Sequence, residues 1–569
     1  MKAATQRTLR QAMTQLHTWA GLPLGWLLFL IFVSGALSCY QREITLWMQP
    51  EMHTARSSEQ GIENAMQFLG QNAASVNSWT ISLSSERTPY MTVSWRDPQA
   101  PQGANPRMAM LRHHIDPASG AELLPRQTNG GGFLYRLHIQ FFGVERSTGM
   151  AIIGLGTIFM LLALVSGIFV HRTIFKDFFT FRPGRQKISW RDAHNVSAVV
   201  LYPFYIIISI SGLMLLLNVM MGPVISANYG TDGRSFQMAL RGMNVTAQVP
   251  RPPEANLQQR APSEQNSAER APREGRSRQQ ENAPAESSEA PLAAILPMVR
   301  QAEKIWPQGV STVVINNPTG PRTTVELRQA LKSALGTMSE RMVFDGKTGE
   351  VSTPPESQAL SPMVSLWQAL MSLHRAHFAG PLARFLMFAS SLGGAAMIGT
   401  GLVLWSLSRK KSRNAQGQIP LFHRLVEGVS IASIPGLLLA IGAFFAASRI
   451  IPAEIVNRMG LEQHVFFGVW ALSLVYALLR DKKKAWVEQF AVAGILLMLL
   501  PLINAFTSGA HLGISLADGI YPLACFDLMA LLTGSFFLFG SRKIHRAHIA
   551  PDNADTQRLS TASGTERNP

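Results

Sequence analysis

The chain has 569 residues, of which 47% are hydrophobic and only 15% charged; long uncharged apolar runs place it with polytopic membrane proteins and exclude a soluble multidomain enzyme. Its formal net charge of +16 is crowded into short connections between those runs, a mark of membrane orientation rather than of nucleic-acid binding. Only Cys39 and Cys525 are present, at or inside apolar segments, so neither a disulfide framework nor a thiolate metal site is available.

Eight runs are long enough, or nearly so, to span a bilayer: 18–40, 149–170, 196–220, 385–407, 425–448, 461–479, 490–507 and 520–540. The tetrapeptide ALSC ending at Cys39 lacks the leading leucine of a lipoprotein cleavage site, so the first run reads as an uncleaved helix. Arg182, Lys187 and Arg191 lie between the second and third runs, Arg409 and Lys410 follow the fourth, and Lys482 to Lys484 and Arg542 follow the sixth and eighth. The basic loops and the even count put both termini in the cytoplasm.

The divisions that follow are 1–40 (N-terminus and first span), 41–146 (first exported unit), 147–220 (two spans around a basic loop), 221–383 (second exported unit), 384–424 (fourth span and basic loop), 425–540 (four further spans) and 541–569 (cytoplasmic tail). Each exported unit reads as a small α+β domain. In the first, a helix near Ile62–Leu69 precedes WTISL, YMTVSW and the hairpin IDPASGAEL; in the second, a helix at 292–305 precedes STVVI, TTVEL and VFDGKTGEV. Residues 246–290 are rich in Pro, Arg, Glu, Gln and Ser with hardly an aromatic, the composition of a disordered linker. Helix, exported unit, helix occurs twice in one direction, which predicts an internal duplication with parallel repeats about an axis along the membrane normal.

His17 opens the first run and Ser34-Gly35 closes it; His194 and Ser211-Gly212 keep the same 17-residue spacing in the third. A helix climbs roughly 26 Å over that gap, close to the thickness of the hydrocarbon. On the exported side, YRLHIQFFG around His138 answers SLHRAHFAG around His374. The symmetric pairs are therefore His17 with His194 and His138 with His374. His171, His377, His423, His464 and His511 are weaker candidates, and SGIFVH aligns with TGLVLW so that His171 answers Trp405. Two imidazoles facing each other inside a helix bundle suit the axial ligation of a b-type haem, one haem at each face. Arg136, Arg375 and Arg384 at the outer pair, and Arg172 and Arg191 at the inner, are candidate propionate partners. Two histidines in an oxygen-poor setting leave the shell of a zinc ion incomplete.

LHTWAGLPLGWLLFLIFVSG, LHIQFFG with its Ser-Gly helix, AHNVSAV, LHRAHFAGPLARF and the two hairpins together resemble the PepSY-associated transmembrane helix family over roughly the first 410 residues, through their order and repetition. That family includes bacterial inner-membrane proteins of iron uptake, among them dihaem reductases of ferric siderophores. The resemblance implies such an activity here, and the last four spans resemble those of longer members. AHNVSAV departs from the Leu-His-Arg often seen at that helix, which leaves His171 as the alternative partner of His17.

No GxGxxG motif, Walker motif or large cytoplasmic segment is present. Electrons would have to come from outside the chain, from a membrane quinol or a cytoplasmic reductase, and leave to a ferric siderophore or other ferric chelate in the periplasm. Two other classes fit the same sequence: a siderophore or solute transporter using histidines as proton relays, for which the acidic residue Asp527 deep in the last run is the supporting feature, and a non-enzymatic PepSY sensor or assembly factor.

Overall fold

The computed structural model describes residues 8–101, 109–170, 181–182, 186–216, 220–229, 292–320, 322–330, 340–354, 362–375, 380–409 and 420–549. The 246–290 linker, His171, Arg172 and His377 lie outside them.

Helix α1 (Leu9–Ser38) begins at a capping box in which Thr8 and Gln11 exchange side-chain and backbone hydrogen bonds. It leads through α2 (Gln41–Met48) to α3 (Gly61–Asn72), strands β1 (Ser78–Ser82), β2 (Met91–Arg96), β3 (Met110–Ile115) and β4 (Glu122–Leu123), then α4 (Gly130–Ile139) and α5 (Arg146–Val170). The second half runs α6 (Gln186–Val200), α7 (Tyr202–Leu215), α8 (Ile295–Ile305), β5 (Val310–Asn316), β6 (Thr324–Gln329), β7 (Arg341–Asp345), β8 (Val351–Thr353), α9 (Pro362–Arg375) and α10 (Pro381–Arg409). Four further long helices follow, α11 (Leu421–Ile450), α12 (Arg458–Leu479), α13 (Lys482–Ser508) and α14 (Tyr521–Ile549).

Among the described residues seven helices are long and apolar enough to cross a membrane. The expected third span, 196–220, is a bent pair instead: α6 and α7 meet at Leu201 at an angle of 64°. Pro203, in the first turn of α7, has no N–H to donate and restricts the residue before it, so the ladder breaks there. Within α11, Pro435 sits in a π turn, Ala432–Gly436, and the helix stays continuous.

The strands form one antiparallel sheet of eight, in the order β4-β3-β2-β1-β5-β6-β7-β8. The two exported units, read from the sequence as separate, are joined at the β1–β5 seam, where Trp79 faces Ile315 and Ile81 faces Val313. One face of the sheet packs under α3 and α8, burying Ile81, Val93, Val313, Ile315, Val325 and Leu327 completely. Full burial of such a side chain contributes about 1.5–3 kcal/mol, so the seam is held by apolar packing as well as by its ladder. Strand β3 has no period-2 pattern: His113 and His114 stand mid-strand and Leu111 is exposed. It forms because β2 offers it an edge, which a local reading does not reveal.

In the bundle α1 packs against α5 and α10, and α11 is the most enclosed of the spans. Buried Trp47 of α2 ties the first half to the last helix: its Nε1 donates to Asp527 Oδ1 at 2.8 Å and its ring stacks on Phe526 at 4.2 Å.

Candidate functional site

The four symmetric histidines come together as two pairs. The rings of His17 on α1 and His194 on α6 lie 6.3 Å apart, centroid to centroid, and those of His138 on α4 and His374 on α9 lie 6.0 Å apart. Each pair draws one ring from each half of the chain.

A single device holds all four rings. The Nδ1 of His17 donates to the carbonyl of Ala163 at 2.9 Å, that of His138 to Ile31 at 2.9 Å, that of His194 to Met397 at 2.8 Å and that of His374 to Ile208 at 3.1 Å. Each accepting carbonyl lies three residues before the hydroxyl of a Ser/Thr-Gly pair: Ser166-Gly167, Ser34-Gly35, Thr400-Gly401 and Ser211-Gly212. Each hydroxyl turns back onto its own helix, as when Ser34 donates to Leu30 at 2.6 Å and Thr400 to Ala396 at 2.7 Å. The glycine beside it is the ring's seat: a Cβ at Gly35 would lie 2.8 Å from the His138 ring, at Gly212 3.0 Å from His374 and at Gly401 3.1 Å from His194. At Gly167 the gap to His17 is 3.5 Å. Small residues let an imidazole reach the backbone of a neighbouring helix. The sequence offered these dipeptides only as the endings of spans; their recurrence four times was the signal of a second role.

With Nδ1 donating, the tautomer is set and Nε2 keeps its lone pair. No hydrogen bond reaches any of the four Nε2 atoms among the described residues. Two Nε2–metal bonds of about 2.0 Å, plus about 1.1 Å from each nitrogen to its ring centre, place opposed centroids about 6.2 Å apart. The observed 6.3 and 6.0 Å meet that requirement. No group of three or more His, Cys, Asp or Glu among the described residues could hold a bare metal ion. A pair of imidazoles is a donor set that a haem iron accepts from protein. Beside the outer pair is a partly open apolar pocket of about 90 Å³, lined by Leu28, Phe32, Ile153, Met160, Leu215 and both histidines.

The expected cations are distributed unevenly. Arg136 donates to Asn129 Oδ1 at 2.8 Å and lies over the Phe142 ring, while its buried Nε has no partner. Arg375 is exposed at the last turn of α9. Arg384 stands 3.4 Å from Glu43, a carboxylate also held by Arg87 at 2.6 Å, so its charge is already answered. At the inner pair Arg191 is half exposed, 3.8 Å from Asp192. Of the weaker histidines, His464 is exposed on α12 and His511 accepts from the backbone N–H of Ile514 at 3.3 Å. His423 is buried and stacks on Trp405. Asp527 is fully buried and accepts from Asn504 Nδ2 at 2.9 Å as well as from Trp47.

The family model described as PepSY-associated TM region matches residues 14–407. No curated protein matches the chain. The chain belongs to the PepSY-associated transmembrane family and is a multi-pass membrane protein.

Proposed function

We propose that this membrane protein carries electrons across the bacterial inner membrane through two b-type haems and reduces a ferric siderophore or other ferric chelate at the periplasmic, sheet-bearing side. His17 with His194 would hold the inner haem and His138 with His374 the outer one. The observation that carries the reading is the fourfold seat: a histidine whose Nδ1 is tied to a Ser/Thr-Gly helix, its ring centre about 6 Å from that of a second such histidine from the other half.

A bound haem supplies one-electron chemistry at a potential set by its ligands and surroundings. The chain's residues do the rest. The carbonyls of Ala163, Met397, Ile31 and Ile208 orient the rings and raise the basicity of Nε2. Leu28, Phe32 and Leu215 keep water from the outer site, and Arg136 and Arg375 are the cations available for propionates there. Iron(II) binds oxygen-rich chelators less well than iron(III), so reduction loosens the metal from its carrier. The carboxylate that suggested a transport pathway already accepts from Trp47 and Asn504.

A pyridine haemochrome assay on the purified full chain tests the proposal. Two haems per chain are expected, with one lost in each of His17→Ala, His194→Ala, His138→Ala and His374→Ala. A preparation without a Soret band, or unchanged haem in all four variants, overturns it.

A further inference from the structure

His423 opens α11 with 5% of its surface exposed, and neither of its ring nitrogens has a hydrogen-bond partner among the described residues. Its ring stacks on Trp405 at 5.9 Å and 17°. Glu427 Oε2 stands 4.0 Å from its Nε2, one helical turn along. Trp405 lies four residues after Gly401, on the same face of α10, and Gly401 is the seat of the inner imidazole His194. A buried ring with two unmatched nitrogens in a span is a functional-site signal. Around it, Leu421, Phe422 and Leu425 are exposed on the membrane-crossing helix, which leaves the approach apolar.

From this we infer that the His423–Glu427–Trp405 cluster is the docking site of the electron donor, and that the donor is a lipid-soluble hydroquinone. The inference rests on the function proposed above and names the donor for it. A hydroquinone is a flat aromatic ring with phenolic O–H donors and an apolar tail. Trp405, covered by His423 and by the Arg409 guanidinium 4.4 Å from its ring centre, forms the aromatic wall of the cluster; His423 Nε2 and the Glu427 carboxylate offer acceptors, and the exposed apolar neighbours offer a way in from lipid. One phenolic O–H donates to His423 Nε2; Glu427 takes that proton on, and the imidazole is reset for the second. The hydroquinone loses two protons and two electrons and leaves as quinone. The electrons reduce two ferric ions of the chelate in turn, and the two protons pass to water.

The test uses the full chain in lipid nanodiscs. An azido-quinone photolabel, applied to haem-free and haem-loaded protein alike, is expected at Trp405 or within residues 421–427 and is competed by decylubiquinone. Reduction by decylubiquinol, followed by haem absorbance, is expected to fall about a hundredfold in His423→Gln and in Glu427→Gln, with haem content and dithionite reduction unchanged. Labelling elsewhere, wild-type quinol rates in both variants, or electrons accepted only from a soluble reductase each overturn the inference. Failure of the dithionite-reduced protein to reduce a ferric chelate, with the label still at Trp405 or within 421–427, counts against the proposed activity and for the quinone site.

Discussion

Under the dihaem proposal, replacing one hydrogen by a methyl group at Gly35 should remove the outer haem while leaving the inner one. A Cβ there falls 2.8 Å from His138 Cε1 and 2.9 Å from Nδ1, whereas carbon atoms in contact rest about 3.5–4.0 Å apart. The ring must withdraw by about 0.7 Å, against a 2.9 Å bond to the Ile31 carbonyl of that same helix. Overpacking of this kind costs about 1–3 kcal/mol, and since 1.36 kcal/mol is a factor of ten, affinity for the haem on His138 falls about five- to 150-fold. The four seats grade the effect. Gly212→Ala, at 3.0 Å, should resemble Gly35→Ala; Gly401→Ala, at 3.1 Å, should weaken the inner haem less; Gly167→Ala, at 3.5 Å, should be silent. Gly21→Ala on α1, with nothing within 4 Å, is the control. Haem per chain and the spectral changes of a redox titration report the outcome. Equal haem in Gly35→Ala and Gly21→Ala, or a larger loss in Gly167→Ala than in Gly35→Ala, would refute the seat.

Three further outcomes follow from other contacts. His138→Ala and His374→Ala should remove the same spectral component, and His17→Ala and His194→Ala the other; a mixed pattern means that the rings pair differently. His53, outside the spans, donates through Nε2 to the Leu46 carbonyl at 2.8 Å, and burial, aided by Arg449, pushes its pKa from 6.5 down to about 4. Its neutral form is favoured in the folded state, so that stability is present above pH 6.5 and drains as pH falls toward 4, by up to roughly 3 kcal/mol. Thermal unfolding in detergent should show this slope in the wild type and a shallower one in His53→Gln; identical slopes refute it. Glu43→Gln removes the carboxylate that meets Arg87 at 2.6 Å and Arg384 at 3.4 Å. Breaking a buried pair costs about 3–5 kcal/mol, and solvent at the partly exposed Arg87 reduces this to about 2 kcal/mol. A melting temperature unchanged from the wild type counts against that network.

The sequence alone determined whatever is written locally. Hydrophobic run length marked the membrane-crossing helices, because a helix among lipid must be apolar along its length. Period-2 alternation marked β1, β2, β5 and β6, where one face is buried and the other is not. The shared spacing from His17 to Ser34-Gly35 and from His194 to Ser211-Gly212 singled out one ring pair, and the match of YRLHIQFFG with SLHRAHFAG singled out the other. Only the tertiary structure decided what depends on segments far apart in the chain. The β1–β5 seam joins residues more than two hundred positions apart, and nothing in either strand names its partner. The 64° bend at Leu201 interrupts an apolar run that reads as continuous, since hydrophobicity is blind to the hydrogen bond that Pro203 cannot make. Likewise the meaning of Gly35, Gly167, Gly212 and Gly401 lies in the helix that crosses each one: the absence of a side chain becomes a seat only when another helix brings a histidine to it.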